Sequence, residues 1–506
     1  MRVVLAAVIV TAVLPACVFR STRVRSWDPD ASTTVRTPVK VHLIDGAVVL
    51  FRDGFTVTGD TLSGLGMRYD PSLLDSLPVW RVPLDHVAGA EAFHLHVDGA
   101  MTVVGTLFAT AGTVLGGTAL ALAIFGSCPT FYADSAGMTR LEAEGFAYSI
   151  APLFEARDVT GLRARPDATG VLRLELRNEA AETHFINHLA LLAVDHGPDE
   201  TVLPGTDGQP LAVRDLHAPV RARDRAGRDV LAPLLAVDGD APSTDAARLA
   251  RAGGDDPHDG VELVFPAPTD GDSVALVLTL RNSLLTTVLL YDVMLRGQGA
   301  QALDWLGHDL QRIDAALELG RWYVETLGLR VSVRENGTWR ERGWVRDVGP
   351  IAWKELAVLV PAPREDSLRV RLSFVTDAWR IDRVALATTV RRPDAHPVPL
   401  TRLTDADGAV RGDLRAAVRD PDTRYLRTMP GERFTLEWET GRTGATSTAL
   451  LVAQGYYVEW LRPEWLTAPV GAFAPSGAAL DRAFARWRAQ RHDYEQRFFA
   501  TRIPVR

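Results

Sequence analysis

Residues Val171–Asn178 read Val-Leu-Arg-Leu-Glu-Leu-Arg-Asn, so Leu172, Leu174 and Leu176 alternate with Arg173, Glu175 and Arg177. Successive side chains of a β-strand point to opposite faces, so this run buries its leucines in a sheet with one dry and one wet face. A helix would scatter the same leucines around its circumference. Leu368–Phe374 has the same alternation, and Trp379–Leu386 follows as a second extended run. The chain is therefore expected to be mainly β, built from packed sheets.

Val171–Asn178 and Val274–Asn282 both end Leu-x-Leu-Arg-Asn, with a threonine five residues on (Thr183, Thr287) and then an apolar run. This predicts a β-sandwich region over 127–300 containing two copies of one unit, with "FINHLALLAV" and "VLLYDVML" as strands. Leu303, Leu306, Leu310, Ile313, Ala316 and Leu317 recur at helical spacing, predicting a helical bridge over 301–330. A second, jelly-roll-like β domain is expected over 331–470. An amphipathic helix is expected over 476–500, with Leu480, Phe484, Trp487, Tyr494 and Phe498 on a stripe broken by Arg491. Its polar face lacks a cationic bias, so docking on the body is preferred to lying on a membrane.

Toward the N-terminus, residues 39–98 hold several short apolar runs separated by Asp45-Gly46 and Asp53-Gly54. They predict a small β-barrel-like domain. Residues 17–38 are polar and aperiodic and read as a tether. Met101–Gly126 contains 26 residues without a charge, including five Gly, five Ala and five Thr. Three structures accommodate it: a bilayer-crossing helix, a glycine-rich helix packed on the body, or an assembly segment. Gly112 and Gly116 form a GxxxG pair, which lets helices approach closely and points to self-association.

Composition bounds the partners. The net charge is −8 over 506 residues, which argues against a nucleic-acid partner. Only Lys40 and Lys354 are lysines; the 53 arginines are scattered along the sequence. The only cysteines are Cys17 and Cys128, too few for cysteine-built zinc sites. No cofactor is expected.

Candidate chemistry is sparse. His94, His96 and Asp98 share one face of a predicted strand, the spacing of metal ligands, but Gly99 stands where a further histidine would complete a metallo-hydrolase motif. A surface or structural role is preferred. The acidic loops "VDGDAPSTD" and "GGDDPHDG" offer carboxylates for a hard cation but lack a complete ligand pattern. His184 and His188 have helical metal-ligand spacing in a stretch that reads as a strand. Ten of twelve tryptophans follow residue 300, and Tyr456, Tyr457 and Trp460 are the preferred aromatic platform for a ligand. No nucleophile elbow, phosphate loop or zinc-protease motif is present, so a non-enzyme is expected.

Met1-Arg2, the uncharged run Val3–Leu14 and Pro15-Ala16-Cys17 resemble a bacterial lipobox signal. The resemblance implies a signal peptide over 1–16, lipidation at Cys17 and, with Val18 rather than Asp next, sorting to the outer membrane. "VHLIDGAVVLFRDGFTVTGDTLSG" resembles the small SH3-like or Sm-like barrels of bacterial proteins. "LRVRLSF…WRIDRVAL" resembles the closing strands of galactose-binding-type jelly rolls. The Ser127–Tyr132 segment and Gly455–Trp460 are similar to an uncharacterised group of bacterial envelope lipoproteins. Together these imply a lipid-anchored envelope protein that binds a partner or joins an assembly. The alternatives are a carbohydrate-binding surface lipoprotein and a metal-dependent hydrolase using His94 and His96. Partners would be a membrane, envelope proteins or glycans, and a second copy through Gly112 and Gly116.

Overall fold

The computed structural model describes residues 20–26, 34–36, 39–70, 75–97, 128–135, 138–150, 152–180, 182–239, 241, 243–266, 273–302, 305, 313–362, 366–441, 446–460 and 477–500. The signal segment, Cys17 and the apolar segment 101–126 with Gly112 and Gly116 lie outside them. Among the described residues no helix is long and apolar enough to cross a membrane. The chain divides into two compact units, 1–123 with 461–467, and 124–460 with 468–506.

The first unit holds β1 (Arg20–Ser26), β2 (Thr34–Val35), β3 (Val39–Leu43), β4 (Val48–Phe51), β5 (Phe55–Thr58), β6 (Thr61–Tyr69), β7 (Ser76–Pro83) and β8 (Val87–Val97). They form one antiparallel sheet in the order β1-β8-β3-β4-β6-β5-β2, with β7 on β6. Val39, Val41, Val49, Phe51, Phe55 and Leu62 fill its core. The β3–β4 hairpin turns at Asp45-Gly46, where Gly46 has φ 85° and the Asp45 carboxylate accepts from the Ala47 amide. The expected tether needs correcting: Arg20–Ser26 pairs with β8 along its whole length, and Thr34–Val35 pairs with β5.

The second unit is two β-sandwiches, and one interrupts the other. The first sandwich begins with β9 (Thr130–Ser135), β10 (Met138–Glu144), β11 (Ala156–Gly161), β12 (Val171–Arg177) and β13 (Glu182–Asp195). The chain then builds the whole second sheet pair: β14 (Thr201–Pro204), β15 (Pro210–His217), β16 (Arg221–Asp224), β17 (His258–Pro266), β18 (Ser273–Asn282), β19 (Leu329–Glu335), β20 (Thr338–Val345), β21 (Lys354–Pro361), β22 (Ser367–Val375) and β23 (Trp379–Arg391). Only afterwards does it return with β24 (Ala395–Pro399), β25 (Arg402–Asp405), β26 (Leu426–Thr428), β27 (Arg433–Glu439) and β28 (Ser447–Glu459). The sheets run β10-β9-β12-β27-β25 and β11-β28-β13-β24 in the first sandwich, with β26 on β13. In the second they run β14-β15-β23-β18-β21 and β16-β17-β22-β19-β20.

Both sandwiches use paired arches. β12 and β27 lie side by side in one sheet while their successors β13 and β28 lie side by side in the other; β17–β18 and β22–β23 repeat this. Alternation along the first strand of an arch puts Leu172, Leu174 and Leu176, or Leu368, Val370 and Leu372, into the core. The Leu-x-Leu-Arg-Asn match does not mark these equivalent places. Asn178 opens an arch, whereas Asn282 ends β18 and leads into a helix. The run "VLLYDVML" is not a strand. Ser283 caps a short helix α1 (Leu284–Thr287), and Val288–Leu295 continues it as a fully buried π-helical turn.

Domain boundaries therefore differ from the expected succession. Helix α2 (Ile313–Leu327) connects β18 to β19 inside the second sandwich and is not a bridge between domains. Helix α3 (Gly477–Ala500) docks as its stripe requires: Leu480, Phe484, Trp487 and Tyr494 join the core of the second sandwich. Arg491 reaches Asp377 at 3.6 Å. The hairpin β14–β15 joins the sandwiches. Leu203, Leu211 and Val213 pack with Ala275, Val277, Ala385 and Ala387. On its other face Val202 and Ala212 pack with Val159, Val194, Leu450 and Val452.

Candidate functional site

Where the two sandwiches meet, a cleft of about 310 Å³ opens. The first sandwich contributes the link from β10 to β11: Tyr148, Ile150, Phe154 and Glu155. This link is bent sharply at Phe146, a buried non-glycine residue with φ 33°, in the region a Cβ normally avoids. The second sandwich contributes Leu290 and Met294 from the π-helical turn, Leu319, Tyr323 and Val324 from α2, and Arg346 and Asp347 after β20. The wall is mostly apolar, with polar groups from Tyr148, Glu155, Tyr323, Arg346 and Asp347, the usual composition of a small-molecule site between packed domains.

Asp347 lies in the loop after β20. Tyr323 donates to Asp347 Oδ2 at 2.5 Å, and the Gly349 amide donates to Asp347 Oδ1 at 2.9 Å. Asn282 Oδ1 accepts from the amides of Val348 and Gly349. Burial pushes the Asp347 carboxyl up, and burial pushes the Tyr323 hydroxyl well up. The Tyr148 hydroxyl is also raised by burial, partly offset by Arg346 beside it. Glu155 is fully occupied by Asn187, Gln454 and Tyr425. Arg346 is exposed and makes no ion pair among the described residues, and it is the one cation beside the hydrogen-bonded carboxylates Asp347 and Glu155 in the cleft wall.

Beneath the cleft lies a buried polar junction. Glu144 of the first sandwich accepts from the amides of Ile351 (2.8 Å) and Ala352 (3.1 Å) of the second. Burial raises its carboxyl to about 7, with Asp347 adding to the rise and those two amides opposing it. Gly349 must be glycine here, since a Cβ would fall 2.4 Å from the Glu144 carboxylate. Lys354 pairs with Asp158 across the same junction. Burial, with Glu144, Glu182 and Asp347, pushes the Cys128 thiol well above its ordinary value, so it is a protonated interior group and not a nucleophile.

Tyr456, Tyr457 and Trp460 are buried, which corrects their reading as an open aromatic platform. Tyr457 accepts from the Tyr291 hydroxyl at 2.9 Å and donates to the Ala147 carbonyl at 2.8 Å. Tyr456 stacks on Phe185 with centroids 4.7 Å apart, and Trp460 donates to Thr183. These rings fix the corner behind the cleft link. His94 and His96 lie on β8, in register with Arg23 and Ser21 of β1. His184 and His188 lie on β13, where no helical spacing applies; His184 is buried between Glu182 and Thr428. Among the described residues no three His, Cys, Asp or Glu groups converge in a metal-binding arrangement. Among the described residues of the acidic loops, Asp245 pairs with Arg228, and Asp256 pairs with Arg225 and Arg248.

The cleft residues Tyr148, Tyr323, Arg346 and Asp347 carry no motif in the sequence. They come from loops and a helix, with Tyr148 and Tyr323 lying 175 residues apart and Tyr323 and Arg346 lying 23 apart, and the one local signal beside them is the turn-forming run Asp347-Val348-Gly349-Pro350.

No family model matches the chain, and no curated relative matches it. Solved structures align weakly. The VP2 protein of infectious bursal disease virus is 12% identical over 66% of this chain and 85% of its own, with a TM-score of 0.13. Dimeric latent PorU from Porphyromonas gingivalis is 11% identical over 87% of this chain and 29% of its own, at 0.15. An exo-β-1,3-galactanase from Phanerochaete chrysosporium is 9% identical over 70% of this chain and 82% of its own, at 0.14. At these TM-scores none of the likenesses bears on fold or function.

Proposed function

We propose that this chain is an exported, lipid-anchored envelope protein whose double-sandwich body is a non-enzymatic binding module. The lipobox-like segment ending at Cys17 supports the address. The observation that carries the binding role is the cleft between the sandwiches, apolar over most of its wall with Arg346 as its one cation. Its ligand class is a small amphipathic anion: an apolar body against Leu290, Met294 and Leu319, and an acidic head toward Arg346 and the Tyr148 hydroxyl.

Anilinonaphthalene sulfonate has this chemistry and serves as the probe. It is expected to bind at one site per folded chain. Leu319→Trp, which fills the cleft, is expected to abolish binding with an unchanged melting temperature, and Arg346→Gln to weaken it about tenfold through loss of one charge-assisted contact. Undiminished binding to Leu319→Trp overturns the assignment. The address is tested separately by metabolic labelling with a fatty acid, which Cys17→Ser must eliminate.

A further inference from the structure

The outer face of the β16-β17-β22-β19-β20 sheet gathers arginines from distant parts of the sequence. The inward residues of these strands, among them Ala222, Leu263, Phe265, Val331, Val333, Val370 and Leu372, are in the core, so their neighbours point outward. The outward set carries Arg221 and Arg223 on β16, Arg369 and Arg371 on β22, and Arg330 and Arg334 on β19. Backbone register brings Arg223 opposite Glu262, and Glu262 opposite Arg371. Against these six arginines stand two glutamates, Glu262 and Glu341, leaving an excess of four positive charges in a chain of net charge −8. Arg221, Arg223, Arg334 and Arg369 make no ion pair among the described residues.

Two tryptophans edge this face. A bulge between Val331 and Ser332 shifts the β20 register, so that Trp339 and Trp344, which differ in parity, both point outward. Arg371 lies 4.1 Å from the Trp339 ring centroid and Arg330 4.6 Å from that of Trp344. Both rings are half-buried and held in place by these contacts. Between the arginines the surface is short or hydroxylated: Gly260, Ser332 and Ser373.

We propose that this face binds an acidic polysaccharide. The unpaired guanidinium groups match repeated carboxylate or sulfate groups, the serines match sugar hydroxyls, and the fixed indoles offer flat surfaces to sugar rings. A bilayer is a poorer occupant, because no exposed large apolar side chain projects from these outward positions to enter it. The proposal does not rest on the cleft.

Full-length protein in mild detergent is titrated with dextran sulfate, polygalacturonate, neutral dextran, duplex DNA and vesicles of anionic phospholipid. Binding is expected for the two acidic polysaccharides only, and it weakens as salt rises. Arg223→Gln/Arg334→Gln/Arg369→Gln should lower that affinity at least tenfold, and Trp339→Ala several-fold, with the melting temperature and cleft-probe binding of the triple variant unchanged. Equal binding by the triple variant, no binding to either acidic polysaccharide, or tighter binding to DNA or to vesicles each overturns the proposal.

Discussion

The two sandwiches share paired arches but differ in what fills them. The second has a large apolar core that takes in one face of α3, Leu480, Phe484 and Trp487 joining Leu263, Val370 and Leu372, with the buried pair Asp377–Arg380 beside it. The first carries a polar corner: Asn178, Glu182, His184, Thr428 and Tyr457 are all buried and hydrogen-bonded to one another or to nearby carbonyls. A buried polar network is tolerated only when its members are satisfied, and then it specifies one arrangement. The polar corner lies at the start of β13, at the opposite end of that strand from Asp195 and Ala395, where the insertion leaves and returns. The apolar core lies where most strands arrive in one continuous stretch. Neither sandwich is contiguous, because α3 returns to the second only after the first is complete.

This interlocking makes the largest effect. Trp438 and Trp487 are each fully buried, one per sandwich, and Trp487 donates to Asp377 at 2.7 Å. Trp438→Ala and Trp487→Ala should each cost about 3–5 kcal/mol. Both should shift one common unfolding transition in denaturant; two separate transitions would show that the sandwiches are independent.

The junction gives the next effect. The Glu144 carboxyl is raised in the folded state from an ordinary value of 4.5 to about 7. The folded protein therefore holds this proton more tightly than the unfolded chain. Its contribution is fully present below pH 4.5 and is lost as pH rises through about 7. Glu144→Gln removes this dependence and should narrow the difference in stability between pH 5 and pH 8 by roughly 3 kcal/mol. An unchanged pH profile would separate Glu144 from the junction.

Smaller effects sharpen the contrast of interiors. Asn178 donates to the carbonyls of Glu182 and Thr428, and Asn178→Ala leaves both acceptors buried, at about 2 kcal/mol. At the other extreme, the Glu262–Arg371 pair lies on the solvated face, and Glu262→Gln should change stability by less than about 0.5 kcal/mol. Equal losses at these two positions would erase the distinction between polar corner and wet surface.

Strands with strict alternation were legible, as were the Asp-Gly hairpin of the N-terminal sheet and the stripe of α3, because each encodes a buried face by its own period. Val288–Leu295 was not. Every one of its residues is buried, so it has no polar face from which a helical period could be read. Tyr456, Tyr457 and Trp460 were misread for a related reason: an aromatic cluster looks the same in sequence whether it caps a core or faces solvent. The cleft was invisible, since its polar residues are assembled by the meeting of two sandwiches.

The residues alone show that this chain is mainly β and that its last helix has a face to bury. Its period and turns are local, and local sterics and burial read them directly. Tertiary structure alone decided that one sandwich interrupts the other and that Glu144 reaches the amides of Ile351 and Ala352. It also turned scattered arginines into one cationic face. Those outcomes depend on which strands pair across a hundred or more residues, and strand register, not composition, places the side chains.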